Sequence, residues 1–155
     1  MPEKKTRMKS PAAALALAIL ACAPAWAAPA ADDHVALFKN VAGHVHVLRQ
    51  GGSIDASPGM QLMVADRLVS DAGASAGIVF RDGTLLTLGA TSDVQVRDYV
   101  FEPRASKYAF SVYLAKGSAI YSSGKIGKLS PESVKVDTPT STVGVRGTHF
   151  IIEAN

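Results

Sequence analysis

From Val35 onward, apolar residues recur at period two in short blocks separated by Gly, Asp, Ser and Pro. Val45 and Val47 alternate with His44, His46 and Leu48, and Gly51-Gly52-Ser53 then turns the chain. The stretch from Ile54 to Leu62 holds the turn dipeptide Pro58-Gly59, and Leu68-Val69 adds a short apolar pair. Ala76 to Phe80 runs into Asp82-Gly83, a strong hairpin signal that pairs Ile78 to Phe80 against Thr84 to Leu86. Val94 and Val96 share one face, and Phe110, Val112 and Leu114 point inward. Phe101 to Lys107 reads as a polar loop, and Gly117-Ser118 as a turn into Ala119-Ile120-Tyr121. Ser122 to Pro131 is rich in Gly, Ser and Lys and reads as exposed. Val134-Lys135-Val136, Val143-Gly144-Val145 and Phe150-Ile151-Ile152 close the chain.

No part of this region sustains a 3.6-residue apolar period, and turn signals recur about every ten positions. The pattern predicts an all-β, single domain of short strands over residues 35–155. A sandwich, a roll or a barrel fits that spacing, and so does a short β-helix-like form. No repeat of fixed length is visible.

The N-terminus has a different character. Lys4, Lys5, Arg7 and Lys9 precede the uncharged run Ala12 to Ala21, too short to span a bilayer, which takes about 20 apolar residues. A basic segment, a short apolar run and then Ala25-Trp26-Ala27 predict a signal peptide over 1–27, cleaved after Ala27. Residues 28–34 read as a flexible lead-in. Ile19-Leu20-Ala21-Cys22 also has the outline of a lipoprotein signal, in which Cys22 would carry a lipid anchor. With cleavage after Ala27 the mature chain has no cysteine and no disulfide.

The leader changes the charge argument. The formal net charge of +3 includes its four basic residues and one acid, Glu3. Without them, twelve Lys/Arg face twelve Asp/Glu. Export, and no nucleic-acid surface, explains the basic balance. The mature form is expected in the periplasm or secreted, with no transmembrane helix.

Chemistry-bearing residues are scattered. His44 and His46 lie two apart, so a strand would put both imidazoles on one face, as half a metal site or as the solvent side of an edge strand. The second reading fits better, and no metal or cofactor is expected. Asp66, Asp71 and Asp82 fall at turns, where carboxylates cap backbone N–H groups. Neither a nucleophile elbow, a phosphate loop nor a local carboxylate pair is present, so an enzyme is not expected. Tyr99, Tyr113 and Tyr121 offer a stacking face for a sugar or small ligand, or simply cover a sheet.

The segment Thr138 to Phe150, TPTSTVGVRGTHF, stands apart. Pro139 interrupts any ladder, and Thr140, Ser141 and Thr142 offer hydroxyls to nearby backbone. Arg146 is the only charge between Asp137 and Glu153. Set between Gly144 and Gly147, it is expected to be buried and to clamp carbonyls and an acid such as Asp82 or Asp137. The alternative is that Arg146 meets a bound carboxylate or phosphate.

These blocks together resemble a FecR-like domain, the periplasmic domain type of the ferric-dicitrate sensor regulators. The resemblance runs through Val41 to Val45, Pro58 to Leu62, Ala65 to Ser70, Ala74 to Thr84 (with Asp82-Gly83), Leu86 to Gly89 and Phe110 to Ser118. It is most specific at Thr138-Pro139-Thr140 and at Val145-Arg146-Gly147-Thr148-His149-Phe150. It implies an all-β domain used in sensing and in protein or ligand interaction, here as a stand-alone exported protein. The implied role is a non-catalytic binding or scaffold module for an envelope protein partner; the second is sensing of a small ligand, glycan or metal chelate. The family pattern also implies further β structure after Phe150, so a C-terminally truncated domain and a minimal one both fit.

Overall fold

The computed structural model describes residues 32–155. The leader, Cys22 and residues 28–31 of the lead-in lie outside the described residues. Of the lead-in, Asp32 pairs with His34 at 2.5 Å and accepts from Gln61 at 3.3 Å.

The period-two blocks become twelve strands. They are β1 (Ala36–Ala42), β2 (Val45–Arg49), β3 (Gly52–Asp55), β4 (Gln61–Leu62), β5 (Arg67–Ser70) and β6 (Ser75–Phe80). Then come β7 (Leu85–Leu88), β8 (Asp93–Glu102), β9 (Lys107–Ser122), β10 (Val134–Asp137), β11 (Thr142–Gly144) and β12 (His149–Ala154). One sheet runs β12-β9-β7-β6-β1-β4 and the other β3-β2-β5-β8-β9-β10-β11. All pairs are antiparallel except β9 with β10. The fold is therefore an all-β roll of two sheets, and the β-helix-like alternative falls, because stacked coils would need parallel ladders throughout.

The strand common to both sheets is β9. Its first half pairs with β8 and β10, its second with β7 and β12. Gly117 does not end the strand, as its sequence suggested. It takes φ +87° inside it, and a Cβ there would lie 2.5 Å from Ser92 Cα. Only glycine tolerates that conformation and that approach cheaply. The irregularity has a second effect. Before it Phe110, Val112 and Leu114 are buried; after it Ala119 and Tyr121 are, so the inward parity has flipped. A register shift between Val96 and Asp98 in β8 likewise turns Tyr99 inward after Val94 and Val96.

The sheets close on one core that runs from Val35 to Ala154. Phe80 of one sheet lies 4.9 Å from Phe110 and 5.4 Å from Tyr99 of the other, centroid to centroid. Tyr121 continues the stack to Phe150 at 4.8 Å. Aromatic pairs at such spacing add about 0.5–1.5 kcal/mol each beyond their burial.

Two further expectations are corrected. The Phe101–Lys107 loop shrinks to one 3-10 turn, Pro103–Ala105, because β8 extends to Glu102. The exposed 122–131 stretch contains a helix, α1 (Lys125–Leu129), whose Ile126 is fully buried. Five residues with one buried side chain are too few to show a helical period. Among the described residues, no helix is long and apolar enough to cross a membrane.

Candidate functional site

Asp82 and Gly83 form the expected turn, with Ile78 opposite Leu86 and Val79 opposite Leu85. Phe80 N–H donates to Thr84 O at 2.9 Å, and Gly83 supplies φ +86°. What sequence did not reveal is that the Asp82 carboxylate is buried and serves three elements. It accepts from Thr84 N–H (3.2 Å) and Oγ1 (2.7 Å), from the Tyr99 hydroxyl of β8 (3.2 Å), and from Ile126 N–H of α1 (3.1 Å). Asp82 N–H donates to Tyr99 Oη at 2.8 Å, and Lys125 N–H to Asp82 O at 2.9 Å. Gly124 lies against this turn so closely that a Cβ would come within 2.2 Å of Thr84 N. Burial holds the Tyr99 phenol well above its ordinary range, and the Asp82 charge adds to that. Burial pushes Tyr121 up as well; its hydroxyl is buried beside Ser123 and Thr84 with none in hydrogen-bonding geometry.

The second buried acid is Asp66. Arg49 of β2 donates to it through Nε (2.8 Å) and Nη2 (2.6 Å), and through Nη2 to Gln61 O (2.9 Å). Met63 N–H adds a third donor to the carboxylate, 2.8 Å from Asp66 Oδ2. This is the arginine clamp that the sequence suggested for Arg146. Seventeen positions separate its partners, and no local pattern announces it.

Arg146 itself is exposed, and among the described residues it makes no hydrogen bond or ion pair. The buried-clamp expectation is therefore corrected. Asp82 is spent on Thr84, Tyr99 and Ile126, and the cation at Asp137 is Arg97, 3.4 Å away, which also stacks 4.0 Å over Tyr113. A Cβ at Gly144 or Gly147 would meet nothing within 4 Å, so neither glycine is there for close approach. Val143 and Val145 part company: Val145 is buried and Val143 exposed, since β11 ends at Gly144.

Thr138 and Pro139 open the tight loop between β10 and β11. Thr138 N–H donates to Ser141 O at 2.8 Å, and Ser141 N–H to Thr138 Oγ1 at 3.1 Å. The hydroxyl that bonds backbone here is that of Thr138, not those expected of Thr140, Ser141 and Thr142; Ser141 Oγ meets Thr138 Oγ1 instead. The resulting hairpin leaves every residue of β11 exposed and, among the described residues, its outer edge unpaired. Between Gly144 and β12, the loop returns past α1, where Thr148 O accepts from Ser123 N–H at 2.8 Å. A cleft of about 390 Å³ opens there, with Lys128, Glu132 and Arg146 on its walls. The Ser130 hydroxyl bonded to Glu132 holds that carboxyl below its usual range.

The other candidates do not gather into a site. His44 precedes β2 and is exposed, while His46 bonds Asp55 at 2.8 Å, with Asp71 3.8 Å away. No group of three His, Cys, Asp or Glu stands close enough to hold a metal among the described residues. Tyr99 and Tyr121 are buried, so with Tyr113 they form no stacking face.

A family model described as FecR protein matches residues 66–155, which takes in the Asp82 turn, α1, the β10–β11 hairpin and the Arg146 loop. No curated protein and no solved structure matches the chain. The match covers more than half of the sequence, and the chain belongs to the FecR protein family, whose domains are regulatory and sensory modules.

Proposed function

We propose that this chain is an exported, non-catalytic FecR domain that works outside the cytoplasm by binding an envelope protein. The observation that carries the reading is the contrast in how charge is used. The buried acids Asp66 and Asp82 are closed on by several donors each, whereas the family's most recognisable segment presents an unpaired strand edge and an exposed guanidinium. Strand edges and unpaired arginines are surfaces that partners recognise. The basic, apolar and A-x-A segments ahead of residue 28 support export, and FecR domains characteristically face the periplasm.

Affinity capture from periplasmic extract tests it, with the parent chain and Arg146→Ala as paired baits. The expected result is a saturable partner held by the parent and at least tenfold depleted on the variant. No partner under any growth condition, or equal recovery on both baits, would contradict it. Small-ligand sensing is the second reading, and the cleft beside α1 favours it where the tyrosines do not.

A further inference from the structure

Three charges line the cleft between α1 and the Arg146 loop, and none is neutralised by another. Lys128 comes from α1, Glu132 from the turn after it, and Arg146 from the loop before β12. All three are exposed, and among the described residues no ion pair joins either cation to Glu132 or to any other acid. Opposite charges that share a concave wall without closing on one another leave room for a molecule that carries both. The wall beside α1 is built from small residues, Gly127 and Ser123, over the buried Tyr121. Tyr121 Oη, the one buried side-chain polar atom without a partner among the described residues, lies beneath Gly127 and Ser123, both of which line the cleft. A Cβ at Gly127 would sit 3.1 Å from that hydroxyl and 2.0 Å from Ser123 Oγ, so glycine is required there for the wall to pack.

We infer that this cleft binds a small zwitterion of the α-amino-acid class, its carboxylate held by Arg146 and Lys128 and its ammonium by Glu132. A simple anion leaves Glu132 facing like charge, and a simple cation leaves two basic groups unmatched. Arg146 suits the carboxylate because its planar fork offers two parallel donors. Pro131 supplies apolar wall beyond the charged head, and 390 Å³ exceeds what the head alone fills, so an aliphatic side chain is accommodated. Ligand binding here shares Arg146 with the proposed partner surface, whereas Lys128 and Glu132 belong to the cleft and not to the β11 edge, so Glu132→Gln reads the ligand site without touching the strand edge.

Isothermal titration of the purified chain with four probes tests the inference: leucine, N-acetylleucine, leucinamide and inorganic phosphate. Leucine is expected to give a saturable heat, and the acetylated and amidated forms to bind at least tenfold more weakly. Arg146→Ala should weaken leucine tenfold or more, and Glu132→Gln should abolish the preference over N-acetylleucine. Both positions are exposed, so circular dichroism should show both variants folded. Leucine heats equal to those of buffer, leucine binding unchanged in Arg146→Ala, or phosphate binding in preference to leucine would each overturn it. Silence with leucine leaves the capture experiment free to succeed, which keeps the two failures apart.

Discussion

Arg49 and Arg146 put the same guanidinium into opposite surroundings. Arg49 reaches from β2 across to Asp66, whose side chain is 1% exposed, and makes three hydrogen bonds there. Arg146 stands on a short loop, exposed and unpaired among the described residues. The difference follows from what each backbone can supply. Around Asp66, a turn and two strands bring a carboxylate and a carbonyl to one point, so a rigid fork of donors is matched, while Met63 N–H holds the carboxylate from its other side. Around Arg146 the chain has left the sheet, and neighbouring glycines have only open space beside them. A charge that the fold does not use is available to something else.

The Asp82 turn belongs with Arg49 on the structural side, and it should show the largest effect. Asp82→Ala strands the Tyr99 hydroxyl, Ile126 N–H and both Thr84 donors in a dry interior. A loss of about 3–4 kcal/mol is expected in urea denaturation. Gly124→Ala should come close behind at about 3 kcal/mol, because the added methyl meets backbone at Thr84 rather than a movable side chain. Arg49→Ala, which leaves Asp66 buried and short of donors, should cost about 2–3 kcal/mol. If any of the three matched the parent midpoint, the interior side of the contrast would break.

A smaller effect comes from pH. Tyr99 and Tyr121 are both held neutral by burial, with folded-state values above that of an unfolded tyrosine. Their contribution is fully present below about pH 10 and declines above it, as the unfolded chain ionises and the folded one does not. Each should remove at most about 1.4 kcal/mol for every pH unit above 10. Denaturation at pH 9 and 11 measures the loss, and Tyr99→Phe should reduce it. Ultraviolet titration should show the Tyr99 and Tyr121 signals resisting ionisation until the fold opens, each lost in its Phe variant.

Much of this was legible in the sequence, and the failures share a cause. Alternation found the inward faces of Val45 and Val47, of Val94 and Val96, and of Phe110, Val112 and Leu114, and the alternating Val134 and Val136 are buried too. Asp82-Gly83 found the hairpin and its register. Reading failed where a single residue shifts the phase. The irregularities near Arg97 and Gly117 reverse which parity faces inward, which is why Tyr99 and Tyr121 looked exposed. It failed again where partners are distant: Arg49 with Asp66, or Asp82 with Ile126, 44 positions apart. The signature segment was recognised correctly as unusual, but isolation among glycines was mistaken for burial when it marked a loop on the surface.

Arg146→Ala carries the smallest predicted effect on stability, under about 0.5 kcal/mol. Comparison of its urea midpoint with that of Arg49→Ala, each against the parent at neutral pH, therefore tests the central contrast most directly. The account predicts a parental midpoint for Arg146→Ala and one lowered in proportion to about 2–3 kcal/mol for Arg49→Ala. Equal losses in the two variants would contradict it, and so would a lowered midpoint for Arg146→Ala alone, since either would return Arg146 to the interior of the fold.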